Sequence, residues 1–134
     1  MIVVDTSVWI DLLNGNQTPQ THYLKRSMHF QEEDFVLTDV VLTEILQGLR
    51  TEKEVVKVER YLADFDVLRL QDLADFRAAA ALYRAAREQG ITIRSTTDCL
   101  IAAICVREAC PLLHADKDFS RLAGATSLTV VDVE

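Results

Sequence analysis

The sequence contains no apolar run that approaches the roughly 20 residues needed to cross a membrane. Its opening apolar stretch is short and is not preceded by the basic leader of a signal peptide. It also lacks internal repeats, low-complexity tracts and Pro/Gly-rich linkers. These absences predict a cytoplasmic protein with no membrane association, in which residues 1–134 fold as one domain.

Cysteine is scarce and carries no recognisable chemistry. The three cysteines, Cys99, Cys105 and Cys110, form no Cys-x-x-Cys pair and have no histidine at metal-ligand spacing. We interpret them as small buried thiols in a reducing compartment, not as zinc ligands or disulfide partners. No Gly-rich phosphate loop, Gly-x-Ser-x-Gly elbow or Cys/His nucleophile pair indicates a covalent mechanism either.

Positive charge is also in deficit, since 14 Lys and Arg residues face 21 Asp and Glu residues and give a net charge of −7. This balance argues against a general nucleic-acid binder, because such affinity comes from neutralised phosphates. It does not exclude a nuclease, because an acidic metal site contributes negative charge itself. Local basic positions such as Lys25-Arg26, Arg84 with Arg87, and Arg94 can still steer a phosphate backbone.

What is present is a regular alternation of strands and helices. The strands are continuously apolar, which is typical of a parallel sheet covered on both faces, an α/β fold. The strands are predicted at residues 2–4, 35–37, 67–70, 111–113 and 128–131. The helices are predicted from residue 6 or 7 to 14, at 20–30, from 38 or 39 to 49, at 52–63, at 72–89 as one helix or two, at 96–109, and as a turn at 116–122.

Asp5 is the first acid of interest, because it stands where an apolar strand stops and a helix begins. Ligands of open parallel sheets bind beyond the carboxyl ends of the strands, so this acid is predicted at a functional edge. The alternative is that Asp5 merely caps the helix. Thr6 and Ser7 weaken that alternative, because either hydroxyl can cap instead. We therefore predict that strand 2–4 is central and that Asp5 is a metal ligand.

Two further acids lie in predicted helices. Glu44 sits at the border of an apolar arc, a place where a glutamate is often only a surface residue. Asp98 is more informative, because it shares the i, i+3, i+4, i+7 face with Ile101, Ala102 and Cys105. A carboxylate on an apolar face needs a partner. The alternative for Asp98 is a capping box with Ser95.

Asp116 follows the fourth strand, and Asp118 comes two residues later. This interval lets one bind a metal while the other holds a water or a second ion, although either acid can also cap the following turn. His114 is a conceivable ligand, but a packed or supporting histidine is the preferred interpretation.

Together these acids predict a cluster whose negative charges need a cation. Oxygen donors without Cys or His partners select hard ions, so we expect Mg²⁺ or Mn²⁺. Such a site activates water for phosphodiester hydrolysis.

Four segments resemble the PIN-domain family, specifically the VapC-type toxins of bacterial toxin–antitoxin pairs. These are Val3-Val4-Asp5-Thr6-Ser7, Leu42-Thr43-Glu44-Ile45, the stretch from Arg94 to Ala102 (RSTTDCLIA), and the stretch from His114 to Phe119 (HADKDF). They span nearly the whole chain in the family's order. Residues 52–89 carry little of the signature.

The resemblance implies a PIN-like three-layer α/β/α sandwich with a central five-stranded parallel sheet. It implies a Mg²⁺- or Mn²⁺-dependent endoribonuclease that is a homodimer and is neutralised by a cognate VapB-like antitoxin in a hetero-oligomer. By position, the family's acidic quartet of catalytic and metal-binding residues is Asp5, Glu44, Asp98 and Asp116. Thr6 or Ser7 and Asp118 would support it, and Glu44 would mainly organise metal or water. The candidate for RNA contact is Arg94, on its charge and not on the resemblance.

Two rival functions remain open. A non-enzymatic domain can hold a structural cation in the same acids and act as a binding partner. A small-molecule phosphohydrolase with an aspartyl nucleophile usually has a second Asp two residues after the first, where this chain has Ser7. For the antitoxin, an apolar groove is conceivable, formed by Trp9, Leu12, Leu13, Leu42, Leu46 and Leu49, although most of these favour the core. A basic antitoxin side chain that enters the acidic site would displace the metal.

Overall fold

The structure is a computed structural model and describes residues 1–133. Its strands are β1 (Ile2–Val4), β2 (Phe35–Thr38), β3 (Val67–Leu68) and β4 (Leu112–Leu113). Its helices are α1 (Thr6–Leu13), α2 (Pro19–His29), α3 (Asp39–Gln47), α4 (Glu52–Leu62), α5 (Leu73–Glu88), α6 (Thr96–Arg107) and α7 (Lys117–Ala125). No helix among these residues is long and apolar enough to cross a membrane.

The strands form one parallel sheet in the order β3-β2-β1-β4. Successive residues of β1 point to opposite faces, and Ile2, Val3 and Val4 are all at most 3% exposed. Both faces of the sheet are therefore covered by helices, which confirms the predicted α/β class. The central position predicted for strand 2–4 is also confirmed, because β1 pairs with both β2 and β4.

The fifth strand predicted at 128–131 is reduced to a single bridge between Leu112 and Val130. The neighbouring residues of β4 are used by β1, since Pro111 and Leu113 accept hydrogen bonds from Val3 and Asp5. Leu112 alone presents its backbone to the other side, where it bonds to Thr129 and Val131. A two-residue strand therefore leaves one position for a further neighbour, and the prediction of a full fifth strand was wrong.

The residues predicted as one helix or two at 72–89 form one helix, α5, which packs along α6. The two are joined by a buried ion pair between Asp75 and Arg107, whose side chains are 6% and 23% exposed. Asp75 also accepts a 2.7 Å hydrogen bond from the backbone of Gln71, and Arg107 donates one of 2.9 Å to the carbonyl of Arg69. This network fixes the ends of α5 and α6 that lie away from the loop between the two helices.

The three cysteines are buried and free, as the sequence analysis expected. The apolar groove considered for Trp9 and five leucines forms only in part, and most of the six pack in the core, as expected. Trp9 is fully buried and donates from Nε1 to the carbonyl of Val4, while Leu12, Leu42 and Leu46 pack against the core. Leu13 and Leu49 alone of the six line a groove, described below.

Candidate metal-dependent nuclease site

Asp5 leaves the carboxyl end of β1 and is 5% exposed. Its Oδ2 accepts hydrogen bonds from the backbone N–H and the hydroxyl of Ser7, at 3.1 and 2.6 Å. Asp5 is thus the N-cap of α1, and the prediction that Thr6 or Ser7 takes over the capping was wrong. Burial raises the pKa of Asp5, as does the charge of Glu44, while the hydrogen bonds from Ser7 oppose the rise.

Ser7 also connects two edges of the site. Its hydroxyl oxygen accepts a 3.2 Å hydrogen bond from the backbone N–H of Ala115 while donating to Asp5. Ala115 lies between β4 and α7, directly before Asp116. The end of β1 and the loop that carries Asp116 are therefore held together by one side chain.

Glu44 reaches the site from α3 and is fixed by two hydroxyl groups. Thr6 donates a 2.7 Å hydrogen bond to Oε1, and Thr97 of α6 lies 3.4 Å from Oε2. Thr97 was not singled out by the sequence analysis. Its place directly before Asp98 on α6 is the signal that would have found it.

Asp98 lies in the first turn of α6, and its pKa is raised to about 7. Burial is the largest cause, and the negative charges of Asp5, Asp116, Glu44 and Asp118 add to it. These four charges act on Asp98 because the structure brings all five acids to one edge of the sheet. The capping box with Ser95 is not formed, since Ser95 makes no side-chain cap bond and its hydroxyl pairs with that of Thr97 at 2.6 Å.

Asp116 caps α7 by accepting a 2.9 Å hydrogen bond from the backbone of Asp118. The side chain of Asp118 is only 1% exposed. Its Oδ2 accepts from the backbone and Nε of Arg94, at 3.1 and 3.2 Å, and its Oδ1 accepts from Nη1 of Arg121 at 3.2 Å. Burial would raise the pKa of Asp118, but the bonds and charge of Arg94, with the charge of Arg121, outweigh it and lower the pKa.

Both oxygens of Asp118 are therefore bound by Arg94 and Arg121. The sequence had suggested that one acid of the pair Asp116 and Asp118 holds a water or a second ion. Arg94 also places Nη2 3.7 Å from Oδ1 of Asp116. Arg121 was missed by the sequence analysis. Its spacing of three residues from Asp118 on a helix is the signal that would have found it.

His114 is partly buried, and its ring lies 5.5 Å from that of Phe119. Its Nδ1 accepts a 3.1 Å hydrogen bond from the backbone of Asp116. Burial lowers the pKa of His114, against the opposing charge of Asp116. A packed, neutral histidine beside the site agrees with the preferred interpretation of the sequence.

The donor chemistry of the site fits a hard divalent cation, because its side chains are carboxylates and hydroxyls. The mutual repulsion that raises the pKa of Asp98 is what a cation would relieve. Within residues 1–133, however, no three acidic, His or Cys side chains are close enough to coordinate one ion as they stand. The carboxylates would have to draw together around a metal.

Comparison with known proteins identifies the family and the fold. The family model described as PIN domain matches residues 2–125. The chain is 34% identical over 128 residues to Ribonuclease VapC11 of Mycobacterium tuberculosis and to VapC ribonuclease Mb1587 of Mycobacterium bovis, covering 96% of each chain.

Solved structures share the fold. One is VapBC2 from Rickettsia felis bound to a DNA fragment from its promoter, with a TM-score of 0.78, 18% identity and 98% of both chains covered. Another is FitAcB from Neisseria gonorrhoeae, with a TM-score of 0.75 and 22% identity, covering 99% of this chain and 98% of that one.

Proposed function

Because the chain belongs to the PIN-domain family and, within it, to the VapC ribonucleases, we propose that it is a metal-dependent endoribonuclease toxin. The observation that carries the proposal is the convergence of acids on Asp98, whose pKa is raised to about 7 partly by the charges of its neighbours. If these acids had only a structural role, there would be no reason for carboxylates at the end of β1, on α3 and α6, and at the start of α7 to share one edge of the sheet. Hydrolysis of a phosphodiester at a metal site does require such a set.

Asp5, Glu44, Asp98 and Asp116 would hold Mg²⁺ or Mn²⁺. Such an ion, when bound, supplies Lewis-acid activation of water and of the phosphoryl group. Ser7 orients Asp5, and Thr6 orients Glu44, through the hydrogen bonds described above. Arg94 would contact the RNA backbone, and its 73% exposed side chain beside Asp116 supports this role.

The test is cleavage of RNA by the purified protein with Mn²⁺ or Mg²⁺. Asp5→Asn and Asp98→Asn should each abolish cleavage, and growth arrest on expression, while the far-UV circular dichroism stays that of the parent. Glu88→Gln, which removes one exposed negative charge from α5, is the matched control and should cleave normally. Full cleavage by Asp98→Asn would overturn the proposal. Metal binding by calorimetry without turnover of RNA would favour the non-enzymatic alternative.

We further propose that a cognate antitoxin docks in a groove of about 420 Å³ between α1, α3 and α4. Its apolar wall consists of Ile10, Leu13, Ile45, Leu49, Val58 and Tyr61. Ile10 and Tyr61 are 39% and 40% exposed, so the wall is open to a partner. The solved neighbours include toxin–antitoxin complexes, which supports a peptide segment as the occupant.

An antitoxin encoded beside this chain would test the groove. Ile10→Asp should abolish complex formation on size-exclusion chromatography but leave RNA cleavage intact, because Ile10 lies outside the acidic site. Retention of the complex by Ile10→Asp would exclude the groove.

Light scattering of the same samples tests the proposed homodimer, and fractionation of cells tests the expected cytoplasmic location. A complex in which no basic antitoxin side chain approaches Asp5 or Asp98 would exclude inhibition by metal displacement.

A further inference from the structure

Two exposed arginines share one buried carboxylate at the border of the acidic site. Arg94, before α6, and Arg121, in α7, bind opposite oxygens of Asp118. The side chain of Asp118 is 1% exposed, while those of Arg94 and Arg121 are 73% and 53% exposed. A single anionic anchor therefore fixes two cations that remain open to solvent.

The group has one carboxylate and two guanidinium groups, and Arg94 also lies 3.7 Å from a second carboxylate, that of Asp116. Within residues 1–133 Arg121 forms an ion pair with Asp118 alone, and its side chain is 53% exposed. Nε and Nη2 of Arg121 make no hydrogen bond within the described residues, and neither does Nη1 of Arg94. The two arginines thus keep several N–H donors on neighbouring guanidinium groups for an anion.

Holding the loop before α6 against α7 does not require these cations. The backbone N–H of Arg94 already donates to Asp118 at 3.1 Å, and that bond would survive replacement of the Arg94 side chain. The two arginines do neutralise the buried carboxylate of Asp118, but their side chains use only Nε of Arg94 and Nη1 of Arg121 for its hydrogen bonds. Both side chains are instead positioned for contact with something outside the chain, and Arg94 reaches to within 3.7 Å of Asp116.

We propose that Arg94 and Arg121, anchored by Asp118, form a clamp for a backbone phosphate of the RNA beside the acid cluster. The clamp rests on the proposed ribonuclease function and adds to it a phosphate-binding role for Arg121 and an anchoring role for Asp118. Its physical basis is that a guanidinium held in place by a carboxylate loses less side-chain freedom when it binds. A phosphate contact carries no sequence information, so the clamp should bind RNA independently of its base sequence.

Binding is measured in the Asp98→Asn background without divalent ions, with fluorescein-labelled polyuridylate as the probe. Arg94→Gln and Arg121→Gln should each weaken binding roughly fivefold at low salt. Each should also lower the slope of log affinity against log salt by about 0.7, the value for one phosphate contact on a single strand. Arg77→Gln is the control, because it removes the same charge from the exposed face of α5, roughly 16 Å along the helix from its end near the loop.

Asp118→Asn distinguishes the clamp from general electrostatics, because the two predict opposite changes in RNA affinity. General electrostatics predicts tighter RNA binding, because the variant removes a negative charge. The clamp predicts weaker binding, because both arginines lose their anchor. Circular dichroism and the melting temperature identify loss of folding in this variant, and the two exposed arginine variants decide the question if it fails to fold.

Unchanged affinity and salt slope in Arg121→Gln overturn the clamp, and so does an Arg77→Gln effect of equal size. RNA cleavage by the parent protein together with an unaffected Arg121→Gln variant leaves the ribonuclease proposal standing and the clamp excluded. RNA binding that depends on the two arginines, together with no cleavage in the presence of any metal, leaves the clamp standing and excludes the ribonuclease proposal. Equal weakening with a single-stranded DNA probe would show that the clamp reads phosphate alone.

Discussion

The hydroxyl of Thr6 donates a 2.7 Å hydrogen bond to the carboxylate of Glu44, and so joins the first residue of α1 to the middle of α3. A carboxylate in a cluster of like charges needs such donors to keep its orientation. Loss of the donor should therefore be felt in catalysis more than in folding.

Thr6→Val should lower Mn²⁺-dependent RNA cleavage roughly tenfold, because the side chain keeps its shape but loses the hydrogen bond to Glu44. Thr6→Ser restores the hydroxyl and should cleave normally. Thr43→Val is the matched control, since Thr43 lies next to Glu44 but donates to the carbonyl of Asp39. Equal rates for the two valine variants would show that orientation of Glu44 is irrelevant.

Mn²⁺ should stabilise the parent protein, because an ion that binds only the folded chain adds stability in proportion to the logarithm of its concentration. At a hundredfold excess over Kd the gain is about 2.7 kcal/mol, or roughly 10 °C in melting temperature. Asp5→Asn should lose this shift in a thermal melt, whereas Glu88→Gln should keep it. A shift of the same size in Asp5→Asn would place the ion elsewhere.

The contribution of Asp98 to the stability of the metal-free protein should fall as pH rises between about 4 and 7. The pKa of Asp98 is raised from 3.8 to about 7, so within that range the folded chain holds a proton that the unfolded chain has released. Asp98→Asn cannot ionise and escapes this loss. In EDTA its advantage over the parent should grow from pH 4 to pH 7 and level off above, reaching on the order of 1 to 2 kcal/mol after allowance for solvent screening. Chemical denaturation measures the difference, and a parallel pH dependence in both proteins would contradict the assignment.

Asp75→Asn should destabilise the fold by about 3 kcal/mol, because it removes the buried one of the two carboxylates that pair with the partly buried Arg107. The urea midpoint should fall while the Mn²⁺ response is retained. Glu108→Gln breaks the more exposed pair that Glu108 makes with Arg107, and should change stability by less than about 1 kcal/mol. Similar midpoints for the two variants would show that burial of Asp75 adds nothing.

The sequence predicted the strands that place Asp5 and Asp116, because an apolar run that stops at an acid marks the end of a buried strand. Periodicity also placed Asp98 on an inward face. The error concerned Asp5, for which helix capping and a place in the acidic site were treated as alternatives. A carboxylate has two oxygens and can do both, and the structure shows Asp5 capping α1 while its charge acts on Asp98.

The pairing of Asp118 with Arg94 and Arg121 lay beyond local pattern. Arg94 and Asp118 are 24 residues apart, and their contact depends on how the loop before α6 meets α7. The reduction of the predicted fifth strand to a single bridge has a similar origin, because the pairing of β1 with β4 decides which backbone groups of β4 remain for another strand. Such facts follow from three-dimensional neighbours and not from residue type.

The order of the sheet has a consequence for synthesis on the ribosome. β1 leaves the exit tunnel long before β4, yet it lies between β2 and β4, and the charge of Asp5 at its end acts together with that of Asp116 on Asp98. A nascent chain that ends before Leu112 lacks both one wall of β1 and the loop whose Ala115 binds Ser7. The acidic cluster is thus assembled only after β4 and the loop that carries Ala115 and Asp116 have emerged, so any activity of this protein has to wait for them.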